Sequence, residues 1–333
     1  MKRVLIFGET TFTGGLVLNK LLKSEEYEIT FFSPEKEPEV RPGVNFIKGR
    51  RDTTHELEPI AAVPWDYVID LSAGHPHQLE NTLRVISPPS RYILQSSCSV
   101  YSAESRNMLL RKEEANIREF TTENDMDNSR SSLGARKAEC ERLLIQSGID
   151  HIILRPAMVY GPGDPDDLLY YWLYRIREGG LLIIPDQGER FFSCTYVKDL
   201  ARTIVACLDS NSKDRIYNVI STPMLNIRKI IDAVSPILNR HCVMLNAPPA
   251  FLHTHNIKQW TDMPLWVDGD HWTFDANLWQ ENFNMKPTDF SEGLLETLGY
   301  YASLHWPPPM SGLSTQQYRE LLARLRNFMA HAP

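Results

Sequence analysis

The sequence predicts an α/β fold, a doubly wound parallel sheet followed by a smaller C-terminal lobe. Three observations carry this. Short unbroken apolar runs, Val4 to Phe7 and Tyr67 to Leu71 among them, read as strands covered on both faces. They alternate with amphipathic helical stretches, of which Leu16, Val17, Leu18, Leu21 and Leu22 mark the first. Glycines and small polar residues fall where strands end, Gly8 after the first and Ser72, Ala73 and Gly74 after the fourth. The expected layout is a Rossmann-type domain over residues 1–160 and about 190–222, with residues 161–189 and 223–333 forming a substrate-binding cap.

With 333 residues, the chain has length enough for a sizeable core and a second lobe. Its 42% hydrophobic and 23% charged content is that of an ordinary globular protein. A formal net charge of −7 argues against a nucleic-acid partner, a local basic patch aside. No run approaches the ~18 apolar residues of a membrane span. The N-terminus lacks the basic-then-apolar layout of a signal peptide, so a cytoplasmic location is expected. Cys98, Cys140, Cys194, Cys207 and Cys242 are odd in number and contain no CxxC pair, so neither a disulfide framework nor a zinc knuckle is expected.

In chain order, the strand Val4 to Phe7 runs into Gly8, and Thr10, Thr11 and Thr13 offer capping hydroxyls before Gly14 and Gly15. A strand, a tight turn and a helix start in this sequence suit a dinucleotide pyrophosphate, held on the unpaired N–H groups of the helix N-terminus. Gly8, Thr10, Thr11, Phe12, Thr13 and Gly14 are the expected contacts. Glu28 to Phe32 reads as the second strand. The residue just past it decides between the 2′-hydroxyl of NAD and the 2′-phosphate of NADP. Ser33 occupies that place with Lys36 close behind, which leans toward NADP, while Glu35 keeps NAD possible. Asn45 to Ile47 is the third strand, and Arg50 and Arg51 behind it can meet a phosphate or simply face solvent. The fourth strand, Tyr67 to Leu71, ends in Ser72, Ala73 and Gly74, small enough for a cofactor to cross the sheet edge. His75 and His77 lack a third ligand nearby, and solvated loop histidines are the expectation.

Arg91 to Tyr101 is the expected fifth strand, His151 to Arg155 the sixth, and residues 216–222 the last of the sheet. Tyr170 to Arg177 reads as an aromatic helix that packs in a core or, alternatively, walls a substrate pocket. Trp260, Trp266, Trp272 and Trp279 fall in a loop-rich stretch, and Thr315 to Met329 is an amphipathic closing helix.

These motifs resemble, in order, those of the extended short-chain dehydrogenase/reductase (SDR) superfamily, of the NAD-dependent epimerase/dehydratase kind. GETTFTG is similar to its GxxGxxG element, with Thr11 at the middle glycine. SSCSVY resembles its SSxxVY element, which implies that Ser97 bonds the substrate oxygen. LRPAMVYGPGD resembles LRPxxVYGPGD, which places Pro156 and Ala157 beside the nicotinamide, and RFFSCTYVKDLA resembles its return motif. The resemblance covers about residues 1–222 with ordered motifs.

One departure matters most. The superfamily carries YGxxKxxxE on a helix, with Tyr and Lys four residues apart on one face. This chain keeps Gly134, Lys137 and Glu141 but has Leu133 at the tyrosine, and no tyrosine occurs between Tyr101 and Tyr160. The phenol that exchanges a proton with the substrate is absent. The resemblance implies that Lys137 still holds the nicotinamide ribose. An NAD(P)-dependent reductase or epimerase/dehydratase-like enzyme is expected, acting on a small-molecule substrate with NADP or NAD. Its catalytic residues are Ser97, Lys137 and Tyr101, the acid being Tyr101, Ser97, a water or the substrate itself. The alternative is a non-catalytic NAD(P)-binding regulatory or scaffold protein. RNA binding, found among SDR relatives, is disfavoured by the acidic charge, and a homodimer is possible.

Overall fold

The computed structural model describes residues 1–34, 42–102, 109–121, 123–124 and 127–331. Lys36 and Glu35 lie outside the described residues. The described residues divide into two compact units, Met1–Val159 with Thr195–Ser221 and Phe274–Thr288, and Tyr160–Cys194 with Thr222–Thr273 and Asp289–Pro333.

The first unit is built on a parallel sheet. Its strands are β1 (Lys2–Phe7), β2 (Tyr27–Ser33), β3 (Val44–Lys48), β4 (Tyr67–Asp70), β5 (Arg91–Gln95), β6 (His151–Pro156) and, further along the chain, Ile216–Val219. Their order is Ile216–Val219, β6, β5, β4, β1, β2, β3, so that β1 pairs with both β2 and β4 at the centre. The apolar runs become strands because both faces are covered. Leu5, Phe7, Val68, Leu79, Tyr92, Leu94, Cys140 and Leu144 share one buried cluster, and the pleat sends Val4 and Ile6, also fully buried, the other way. Helix α1 (Phe12–Ser24) packs with Val197–Ala206, and α2 (Pro76–Val85) with α3 (Arg130–Gln146).

Two strand ends differ from expectation. The fifth strand stops at Gln95, where its ladder with β6 ends, and Cys98–Val100 form a 3₁₀ turn. Ser97 causes the break by capping that turn, its hydroxyl accepting from the Ser99 N–H at 3.1 Å. The last strand of the sheet likewise ends at Val219, and Thr222–Leu225 pairs antiparallel with Phe192–Tyr196. The segment Phe274–Thr288 joins this unit through polar anchors. The Thr288 N–H donates to the buried Asp199 carboxylate at 2.8 Å, and the Trp279 indole donates to Thr203 at 2.9 Å.

In the second unit, Gly180–Pro185 pairs in parallel with Cys242–Ala247. Helix α4 (Leu168–Glu178) buries Tyr170, Tyr171 and Trp172, as the aromatic pattern anticipates. Tyr170 stacks on Tyr301 with ring centroids 3.5 Å apart, and the Trp172 indole donates to the Pro264 carbonyl at 2.7 Å. The closing helix, α5 (Thr315–Ala330), starts with a capping box between Ser314 and Gln317. Among the described residues no helix is long and apolar enough to cross a membrane.

Candidate functional site

Because neighbouring strands of the first unit all run parallel, their carboxyl ends share one edge. That edge gathers Gly8 after β1, Ser33 at the end of β2, Arg50 after β3, Ser72 to Gly74 after β4, Ser97 after β5 and Pro156 at the end of β6. The chain order reverses beside β1, the switch point where open α/β sheets place ligands.

The turn from Gly8 to Gly14 is shaped for a close approach. Gly8 has φ +139° and Phe12 φ +40°. A Cβ on Gly14 would sit 1.8 Å from the Glu9 carbonyl oxygen, so only glycine lets this loop fold back over the helix start. No side chain caps α1, no acidic residue stands in its first turn, and the Thr11 hydroxyl donates to Glu9 instead, at 3.3 Å. The positive end of the helix is therefore left for an anion. Thr10 and Thr13 are buried within the turn.

Ser33, at the end of β2, is 1% exposed. Of the two arginines behind β3, one turns in and one out. Arg51 is buried, forks onto Asp70 at 2.8 and 2.7 Å, donates to Thr82 at 3.0 Å and lies over the Phe7 ring. Burial pushes the Asp70 carboxyl up, but the charge and hydrogen bonds of Arg51 outweigh it and hold the group below its ordinary value. The Arg50 side chain stays exposed, 3.7 Å from Asp52. After β4, the Ser72 N–H donates to Asp70 at 3.1 Å, and the Gly74 carbonyl accepts from Arg136 at 3.0 Å. The His77 ring lies 3.6 Å from Asp52, and no group of metal-ligating side chains forms among the described residues.

Helix α3 brings Lys137 to the same edge. Its ammonium is buried and donates to the Gln95 carbonyl at 2.9 Å, and burial lowers its pKa. One turn on, Glu141 accepts from Ser96 at 2.5 Å and is forked by Arg155 at 3.0 and 2.6 Å. Leu133 sits one turn before Lys137, half-buried. Tyr101 stands apart from the expected role. Its hydroxyl is buried, donates to Asn218 at 2.6 Å and accepts from Arg155 at 3.0 Å, while burial pushes its pKa up. Its proton is committed to the interior. Pro156 is buried at the end of β6, and the next residue's N–H donates to Thr195 at 3.0 Å.

Gln95, Ser99 and Arg136 escaped the sequence reading, and only Glu141 among the supporting residues had a motif to announce it. The Gln95 Oε1 and Ser99 Oγ atoms are buried without a partner among the described residues. Unfilled polar atoms there, and a glycine cradle at α1, fit a nucleotide that supplies hydroxyls and a pyrophosphate.

Residues 4–219 match the family model described as NAD dependent epimerase/dehydratase family. A curated relative, the chloroplast stem-loop binding protein of 41 kDa b of Arabidopsis thaliana, is 26% identical over 234 residues, which is 66% of this chain and 58% of that protein. The match thus spans less than two thirds of that relative's length. Among solved structures, the UDP-glucuronic acid 4-epimerase of Bacillus cereus in complex with NAD is 19% identical. It superimposes with TM-score 0.69 over 92% of this chain and all of its own, 100%. The UDP-glucose 4-epimerase of Thermotoga maritima with UDP-glucose is 18% identical, with TM-score 0.68 over 91% of this chain and 99% of that one. At such identities these structures speak for the fold.

Proposed function

The chain belongs to the NAD dependent epimerase/dehydratase family, and on that premise we propose that it is an NADP-preferring SDR-type oxidoreductase acting on a small-molecule substrate. The observation that carries the reading is the meeting of the Gly8 to Gly14 turn, Lys137 and Ser97 at one sheet edge. When bound, the nicotinamide nucleotide supplies or accepts hydride. The backbone N–H groups from Thr11 to Gly14 hold its pyrophosphate, and Ser72, Ala73 and Gly74 form a low wall beside it. Lys137 and Pro156 flank the nicotinamide and its ribose. The Ser97 hydroxyl, having accepted from Ser99, can donate a hydrogen bond to a substrate oxygen. Tyr101 acts as a positioning residue through Arg155 and Asn218. Leu133 gives no proton to an alkoxide, so a C=C or C=N bond is a better substrate than a ketone.

Arg50 supplies the NADP preference, since it is the exposed guanidinium at the end of the strand next to β2. Calorimetry with NADPH and NADH tests both parts of the proposal. Arg50→Ala is expected to weaken NADPH by about 10- to 100-fold, the value of one charge-assisted contact, and to leave NADH nearly unchanged. Absence of heat with either nucleotide overturns the reading.

Leu133 also favours a second reading, a protein that binds the nucleotide without turning it over. Oxidation of bound NADPH on adding a candidate substrate, lost in Lys137→Ala, decides for the enzyme. The curated relative's name speaks of stem-loop binding, but a net charge of −7 offers RNA little attraction here.

A further inference from the structure

Leu133 removes one proton carrier from the sheet edge, and the surrounding groups do not replace it. The Ser97 hydroxyl can hydrogen-bond a substrate oxygen, but an alcohol is too weak an acid to give its proton up. Tyr101 spends its hydroxyl on Asn218. The Ser132 hydroxyl goes to the Asp127 carbonyl at 2.5 Å. Burial pushes the thiols of Cys98 and Cys140 up, the latter to about 12. Lys137 differs from all of these. An ammonium has three donors, and among the described residues one of them is filled, by the Gln95 carbonyl. Two unfilled donors on a buried cation are costly, and the cost is relieved by a ligand acceptor or by giving up the proton.

We propose that Lys137 is the proton-exchanging group of this site, taking over from the missing phenol. The inference rests on the nucleotide-binding reading above. In a reduction, hydride from the reduced nicotinamide forms a bond to a substrate carbon, and the π bond to its neighbour breaks. The freed electron pair takes a proton from Nζ, whose N–H bond breaks, and the neutral amine regains a proton from water. In the oxidative direction the same amine receives the proton.

The charges around Lys137 set how readily it gives the proton up. Burial is the largest influence and lowers its pKa. Cys140 and Glu141 on α3 and Asp70 on β4 oppose that, and Arg51 behind β3 adds to it. Glu141 is largely answered by Arg155 of β6, and Asp70 by Arg51 and the Tyr92 hydroxyl of β5. Among the described residues, each carboxylate that acts on Lys137 is shared with another partner.

The full chain, with Lys137→Arg and Lys137→Met, tests this by NADPH calorimetry between about pH 6 and 9 in buffers of different ionisation enthalpy. Wild type is expected to take up a fraction of a proton per NADPH, rising with pH, as the phosphates and ribose favour the charged amine. Uptake vanishes in both variants, because arginine stays charged and methionine has no proton to hold. Lys137→Met weakens NADPH by about tenfold or more, whereas Lys137→Arg keeps most of the affinity. A lysine that only braces the helix stays charged and takes up none. NADPH binding without proton uptake in wild type, or uptake that persists in Lys137→Arg, overturns the proposal alone. Failure of NADPH to bind wild type at any pH overturns the nucleotide reading on which it stands.

Discussion

At the scale of single residues, the structure is governed by what burial does to charge. Asp164, in the second unit, is 8% exposed, and its Oδ2 is buried without a partner among the described residues. Burial, with Asp166 and Asp167 close by, pushes its carboxyl from 3.8 to about 7. The folded chain therefore binds a proton there more tightly than the unfolded chain. Its contribution to stability is fully present below about pH 4 and is lost as pH rises through 7. Asp164→Asn keeps an acceptor for the Asp166 N–H, now 2.9 Å from Oδ1, but cannot ionise. The difference in unfolding free energy between wild type and Asp164→Asn is expected to fall by up to about 4 kcal/mol between pH 4 and 8. Urea titrations at several pH values check it, and a difference that does not change with pH refutes the assignment. Lys137 obeys the same physics with the opposite charge.

At the scale of elements, close approach decides where functional groups come to rest. Helix α3 can lie against the 3₁₀ turn after β5 because Gly134 has no side chain. A Cβ there would stand 2.1 Å from the Ser99 carbonyl oxygen. That contact, with Lys137 on Gln95 and Glu141 on Ser96, fixes α3 to the end of β5 at three successive points. Gly14 does the same for α1 and its loop. Either glycine changed to alanine is expected to cost NADPH affinity by about 100-fold or more, since backbone must move to make room. Calorimetry together with thermal melting separates the two. Gly134→Ala lowers the melting temperature as well, because it pushes a buried helix off the sheet. Gly14→Ala acts mainly on an edge loop.

At the scale of the whole molecule, each unit has its own core, and the last helix completes the second. Tyr318, Leu321 and Leu325 of α5 are buried among Ile183, Phe251, Met263 and Trp266, and the Tyr318 hydroxyl accepts from the Ile183 N–H at 2.8 Å. Removing residues 315–333 exposes these apolar contacts, a loss of about 5–9 kcal/mol at 1.5–3 per side chain, comparable to the stability of a domain. The truncated chain is expected to show red-shifted tryptophan emission and to lose cooperative unfolding of the second unit. Unchanged emission would show that α5 is dispensable.

Much of this was open to a reader of the sequence. Runs such as Val4 to Phe7 and Tyr67 to Leu71 are apolar on successive positions because strands of a covered parallel sheet have no wet face, and that regularity determined the α/β fold, though not where the fifth and last strands end. The glycine-marked turn and the Gly134, Lys137, Glu141 spacing followed from chain geometry over a few residues, so they too were legible. What only the tertiary structure decided are the partners brought from far along the chain. Arg50 and Arg51 are neighbours of one type, and Asp70, 19 residues away, draws the second inward and leaves the first outside. Ser33 is buried, the Tyr101 hydroxyl donates a hydrogen bond to Asn218, 117 residues on, and Phe274–Thr288 returns to the sheet unit through Asp199. Local patterns encode how each segment folds. Which buried polar group satisfies which other depends on where distant segments meet, and no local spacing records it.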